Sequence, residues 1–155
     1  MSAPPLQING WRIYAHPLFI QQVQALAQQV QALQSKYPQA WREKNAAKRL
    51  AAILKLAFES IPQDPARAEF RQGNTLGAAG RHWMRAKFFQ QYRLFFRFHA
   101  GQKVIVLAWV NDDSCKRAYG SKDDAYGVFR SMFERGHPPN DWDGLLKEAK
   151  TWDGL

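Results

Sequence analysis

Negative charge is missing from one long stretch of this chain. No aspartate or glutamate lies between residues 70 and 111, where Arg71, Arg81, Arg85, Lys87, Arg93, Arg97 and Lys103 all occur. Cysteine is scarce too. Cys115 is the only one, so no internal disulfide can form, and a reducing, cytoplasmic setting is expected. No apolar run approaches the roughly 20 residues of a membrane span. Residues 1 to 7 lack the basic region and apolar stretch of a secretory signal, so none is expected. One cysteine and four scattered histidines, His16, His82, His99 and His137, offer no metal-ligand spacing. Asp112 and Asp113 are adjacent, so in an extended segment they face opposite sides and make a poor metal pair. The glycines of Gly73-Asn74-Thr75-Leu76-Gly77 lack the lysine and hydroxyl of a phosphate loop. No cofactor is expected.

What is present describes a folded domain. The chain has 155 residues, 46 % of them apolar and 23 % charged, with a formal charge of +9. These values suit a single domain over 1–155 with a sizeable core. Residues 1–7 and 143–155 are expected to be loosely ordered tails. The short Trp-Asp-Gly-Leu sequence at 142–145 and again at 152–155 is too small to be a structural repeat.

Periodicity sketches the elements. Trp11–Ala15 alternates like a short strand. Pro17 suits a helix start, and Leu18, Phe19, Val23, Leu26, Ala27, Val30 and Leu33 recur at helical spacing. A second helix is expected over roughly 38–60, packed beside the first, with Arg42, Lys44, Lys48, Arg49 and Lys55 on its polar side. Pro62 and Pro65 end it, and residues 62–82 read as a glycine-punctuated loop. Three strands are expected near 84–89, 92–98 and 103–110. A three-residue loop at 89–91 puts Ala86, Phe88, Tyr92, Leu94, Phe96 and Phe98 on one apolar face. Arg85, Lys87, Arg93 and Arg97 then share the other face, expected to point outward into water. The third strand is almost wholly apolar and should be buried on both sides. A final helix should open at Ser121-Lys122-Asp123-Asp124, bury Ala125, Val128, Phe129, Met132 and Phe133, and stop at Gly136. The order β-α-α-β-β-β-α reads as α+β, with helices packed on a small antiparallel sheet.

A one-signed field among aromatic side chains attracts a polyanion, with RNA the leading choice. Arginine grips phosphate through paired hydrogen bonds and keeps its charge. Preplaced cations also favour the extra negative charge of a pentacoordinate phosphorus. Arg85, Lys87, Arg93 and Arg97 are therefore the first candidates for a catalytic row, with Lys87 as a base. Arg117 and Tyr119, two apart after the third strand, are the second set. Lys44, Lys48, Arg81 and His137 are candidates for RNA contact only. The competing reading is a noncatalytic RNA- or ribosome-binding module, in which the same cations merely position the backbone.

Several motifs taken together resemble one family. They are Asn9-Gly10-Trp11, Tyr14-Ala15-His16-Pro17, Tyr92-Arg93-Leu94-Phe95-Phe96-Arg97, Trp109-Val110-Asn111-Asp112, Arg117-Ala118-Tyr119-Gly120, Asp124-Ala125-Tyr126 and Gly136-His137-Pro138-Pro139. The set is similar to the YhaV toxins of type II toxin–antitoxin modules, from about residue 8 to 142. The resemblance implies a RelE-like fold. It also implies metal-independent cleavage of mRNA, on or off the ribosome, by ribose 2′-hydroxyl attack, with cyclic phosphate products and growth arrest. It implies a PrlF-type, AbrB-like antitoxin partner, operator DNA contacted only through that complex, and no membrane association. Within it Arg93 and Arg97 fall on the scissile phosphate, Arg85 and Lys87 on the preceding strand, and Arg117 or Tyr119 near the leaving oxygen.

Overall fold

The computed structural model describes residues 4–112 and 124–154. The chain begins with a hairpin that Asn9-Gly10 makes possible. Both residues have positive φ, 52° and 85°, as a two-residue type I′ turn requires. They join β1 (Leu6–Ile8) to β2 (Trp11–Ala15), with Ile8 opposite Trp11. His16 caps α1 (Pro17–Lys36): its Nδ1 accepts the Leu18 backbone N–H at 3.1 Å. The ring proton therefore sits on Nε2, which faces Glu148 Oε1 at 2.8 Å. The next helix starts later than expected, after a 3-10 turn at Trp41–Glu43. It comprises α2 (Asn45–Lys55), a π-helical turn at Leu56–Ser60 and α3 (Ile61–Gln63).

The expected strands lie close to their anticipated bounds, as β3 (Met84–Phe88), β4 (Tyr92–His99) and β5 (Val104–Val110). Then come α4 (Ala125–Glu134), α5 (Trp142–Glu148) and β6 (Lys150–Thr151). The sheet has six strands in the order β1-β2-β5-β4-β3, with β6 beside β2. The architecture is α+β, but the sheet is mixed rather than antiparallel, because β2 runs parallel to β5. A strand as apolar as β5 needs a partner on each edge. Its hairpin-linked neighbour β4 fills one, and only β2, reached by a long crossover, fills the other. Gln22 extends this pairing from α1, donating to Val110 O at 2.6 Å and accepting from Val110 N at 3.1 Å.

Phe88 pairs with Tyr92 and Lys87 with Arg93, so residues 89–91 form the three-residue loop and the charged row shares one face. That face is largely roofed, contrary to the sequence expectation: Arg93 and Arg97 are buried and Arg85 half-buried, while Lys87 stays exposed. The sheet is covered on both sides. Ile13, Phe19, Val23, Ile53, Leu94, Phe96 and Leu107 fill the core against α1 and α2. Trp83, Phe95, Val106, Trp109, Phe129, Phe133 and Leu145 fill a second core on the charged side. The reason lies in β5. Val106, Ala108 and Trp109 share the face of Phe95, and that much apolar surface requires a lid, which α4 and α5 provide.

The C-terminal tail also departs from expectation. Residues 143–154 are not loose: they form most of α5 and then β6, which pairs with β2. Trp152 is only 7 % exposed. Its ring lies edge-on to Phe19 at 5.1 Å and stacks on Phe58 at 4.9 Å. The N-terminal tail is likewise partly ordered, since Leu6 and Gln7 belong to β1. The loop before β3 is organised around buried Gln72. Its amide donates to Gly80 O at 3.0 Å, and its oxygen accepts from Thr75 Oγ1 at 2.6 Å and Leu76 N at 3.2 Å. Among the described residues no helix is long and apolar enough to cross a membrane.

Candidate active site

Arg85 and Arg93 meet on a single oxygen. Strand pairing sets Arg85 opposite Phe95 and Lys87 opposite Arg93, so the three cations project from one patch where β3 and β4 adjoin. Over this patch α4 lays Tyr126, one residue into the helix. The Tyr126 hydroxyl accepts from Arg85 Nε at 2.9 Å and from Arg93 Nε at 3.2 Å. A buried phenol normally finds a polar partner; here it finds two guanidinium groups and holds them side by side.

Further hydrogen bonds orient each guanidinium. Arg93 Nη1 donates to Gln90 O at 2.7 Å and to Tyr92 O at 2.9 Å. Arg85 Nη1 donates to Glu69 O. Among the described residues neither Nη2 has a hydrogen-bond acceptor, and no carboxylate pairs with Arg85, Lys87, Arg93 or Arg97. Buried Asn111 fixes the backbone beneath: its oxygen accepts from Arg93 N at 2.6 Å and its amide donates to Gln91 O at 3.0 Å. Arg93 itself is 7 % exposed, Arg85 half-buried and Lys87 exposed. Two cations fixed side by side, each with a donor nitrogen that meets no acceptor among the described residues, are arranged for a spread-out anion such as a phosphodiester.

Arg97 does not join them. It lies four residues along β4 from Arg93, about 13 Å at strand rise. Phe95 intervenes, stacked on Phe129 at 4.3 Å between ring centroids. The Arg97 Nη1 donates to Asn140 O, and its guanidinium lies over the rings of Trp83 and Trp142 at 5.6 and 5.7 Å. Burial lowers its pKa below the ordinary arginine value, an effect the Asp141 carboxylate partly opposes. Nearby His82 is held below the usual imidazole value, first by desolvation and then by the charges of Arg97 and Arg81.

The remaining sequence candidates are dispersed. Lys44 lies over the Tyr37 ring at 4.1 Å, Lys48 is exposed on α2, and Arg81 is exposed before β3. His137 is exposed after α4, and its N–H donates to Met132 O at 3.0 Å. Arg117 and Tyr119, like Cys115 and the Ser121 helix entry, lie outside the described residues. Sequence reasoning missed Tyr126 and Asn111 as site residues. Tyr126 was detectable in principle: it is a polar-tipped aromatic in the buried stripe of a helix, and such a hydroxyl must meet a partner on the element it covers.

A family model described as a toxin with endonuclease activity, of a toxin–antitoxin system, matches residues 13–150, and the chain belongs to this YhaV toxin family. It is 44 % identical over 148 residues to the ribonuclease toxin YhaV of Escherichia coli strain K12, covering 94 % of this chain and 96 % of that protein. It is 45 % identical, with the same coverage, to toxin YhaV of Escherichia coli O6:H1. No solved structure matches it.

Proposed function

We propose that this toxin is an endoribonuclease that cleaves mRNA by in-line attack of a ribose 2′-hydroxyl on the adjacent phosphorus, using side chains rather than a metal. The observation that carries this reading is the pair of guanidiniums held on the Tyr126 hydroxyl, their Nη2 groups meeting no acceptor among the described residues, with Lys87 alongside. In the reaction the 2′-oxygen forms a bond to phosphorus and the P–O5′ bond breaks. A base accepts the 2′ proton and an acid protonates the departing 5′-oxygen. The products are a 2′,3′-cyclic phosphate and a 5′-hydroxyl. Arg93 and Arg85 would stabilise the charge that builds on the nonbridging oxygens. Lys87 is the candidate base, and Arg117 or Tyr119 the candidates beside the leaving oxygen. Tyr126 acts through the arginines as a positioning residue.

The run β2, α1, α2, β3, β4, β5, α4 supports a RelE-like core, to which β1, α5 and β6 are additions. The charge of +9 suits an acidic antitoxin of the PrlF type, in whose absence mRNA cleavage in the cytoplasm would arrest growth. Operator DNA would be bound through that complex. Incubation of the purified toxin with RNA in EDTA, alone and with ribosomes, tests the catalytic reading. The expected outcome is cleavage with cyclic phosphate ends. Tight binding of RNA that stays intact would favour the noncatalytic alternative.

A further inference from the structure

Beside the paired arginines, and reaching Arg85 and Lys87 of the catalytic row, lies a cavity of about 390 Å³. It is lined by Leu56, Ser60, Arg67, Ala68, Glu69, Phe70, Arg71, Arg85 and Lys87. Its volume falls in the range of small-ligand pockets, roughly 300–1,000 Å³. Its lining cations differ in how they are engaged. Arg67 is already occupied. It pairs with Glu69 at 3.0 Å and donates to Ser60 O at 2.9 Å and Asp64 O at 3.3 Å. The Arg67 ion pair offsets part of the Glu69 charge that faces the cavity. Arg71 and Lys87, by contrast, are exposed, and neither has a hydrogen bond or ion pair from its side chain among the described residues. An isolated bridge from Arg71 to Met84 extends the sheet edge and places Arg71 beside β3. Arg85 belongs both to this cavity and to the Tyr126 cluster, so the two spaces adjoin. The lining includes Leu56 and Ser60 from the π-helical turn, a helix irregularity frequent at functional sites.

We infer that this cavity is a subsite for the nucleotide next to the scissile linkage, with Arg71 taking its phosphate. The inference rests on the ribonuclease reading and adds a residue, Arg71, to the RNA-binding set. A polynucleotide fits better than a free anion, because the cations form a continuous track from Arg93 through Arg85 and Lys87 to Arg71. Consecutive phosphates of one strand would occupy the cluster and the cavity in turn.

The test uses the full-length toxin and a fully 2′-O-methylated RNA oligonucleotide, which cannot supply the attacking hydroxyl. Affinity is measured over a salt series for wild type, Arg71→Ala, Arg71→Gln, Arg71→Lys and, as a charge-matched control, Lys36→Ala on α1. Each variant is first checked for a native melting transition. Arg71→Ala and Arg71→Gln should bind several-fold more weakly and flatten the slope of log affinity against log salt by about 0.7, the single-strand value for one phosphate. Arg71→Lys should keep the slope, and Lys36→Ala should leave it near wild type. Replacing single linkages with uncharged methylphosphonate should then reveal one position that weakens wild-type binding but has no further effect on Arg71→Ala. An unchanged slope in both neutral variants, or the same loss from Lys36→Ala, would overturn the subsite. So would Arg71 variants that lose an acidic antitoxin but not RNA. Wild type that binds this oligonucleotide but fails to cut ordinary RNA would sink the ribonuclease reading, while the slope and methylphosphonate results would still decide the subsite.

Discussion

Tyr126 shows how one oxygen can organise several charges. Two guanidiniums repel each other, and a hydroxyl that accepts from both, together with backbone carbonyls at their other nitrogens, makes their approach tolerable. Tyr126→Phe removes that acceptor while keeping the ring's packing against Phe95 at 5.5 Å. The expected stability loss is about 1–2 kcal/mol. RNA cleavage should fall on the order of ten- to a hundredfold, chiefly in kcat, since the arginines lose orientation rather than charge. Single-turnover kinetics with a thermal melt would check this, and full activity in the variant would remove Tyr126 from the site. Arg93→Ala is a poorer probe. The buried guanidinium carries three hydrogen bonds, so its removal confounds folding with chemistry. His82 offers a second residue-scale prediction. Its pKa is lowered by desolvation, Arg97 and Arg81, so the unfolded chain takes up this proton more readily than the folded one. Stability therefore rises with pH from the lowered value up to the ordinary 6.5, and acidification through that window works against folding. In an NMR titration Arg81→Gln should move the His82 midpoint upward; an unchanged midpoint would show that the Arg81 charge does not reach the ring.

At the scale of elements, α4 and the C-terminal segment do what no strand can. Phe129 of α4 meets Trp83 edge-on at 4.8 Å and stacks on Phe95 at 4.3 Å, so the helix that carries Tyr126 is held by aromatic contacts with the sheet and with the loop preceding it. The final strand β6 then leads into Trp152, which packs into the opposite core. Trp152→Ala should cost about 3–5 kcal/mol, the usual range for a large aromatic removed from a core. Chemical denaturation would measure it, and a loss under 1 kcal/mol would mean that the tail packs only loosely. Gly80 supplies a comparable test in the loop before β3. A Cβ there would stand 2.6 Å from the Leu76 Cβ and 2.9 Å from the Phe133 ring. Gly80→Ala should therefore destabilise by about 1–3 kcal/mol through overpacking, read from the same denaturation curves; a neutral result would show that α4 can shift.

For the molecule as a whole, the charge of +9 makes salt the simplest global probe. Affinity for single-stranded RNA should fall linearly in log–log form, with a slope steeper than about −1.4, the value for two phosphates. Fluorescence anisotropy across a salt series would measure it, and a flat line would contradict a basic RNA-binding track. The same field would speed association with an acidic antitoxin.

The amino-acid pattern alone determined a good deal. The alternation of Arg93, Phe95 and Arg97 against Leu94, Phe96 and Phe98 determined the phase of β4. The three-residue loop at 89–91 followed from keeping Lys87 off the apolar face, because strand side chains have a period of two and a slip of one exchanges the faces. Those local periodicities brought Arg85, Lys87 and Arg93 together on paper as they are in space. Only tertiary structure decided that this face is roofed by α4, that Tyr126 joins two of the arginines, and that Arg97 is taken up by Asn140 and two tryptophans. The same holds for the parallel pairing of β2 with β5 and the burial of Trp152. Each of these depends on contacts between residues far apart along the chain, where short-range periodicity carries no information.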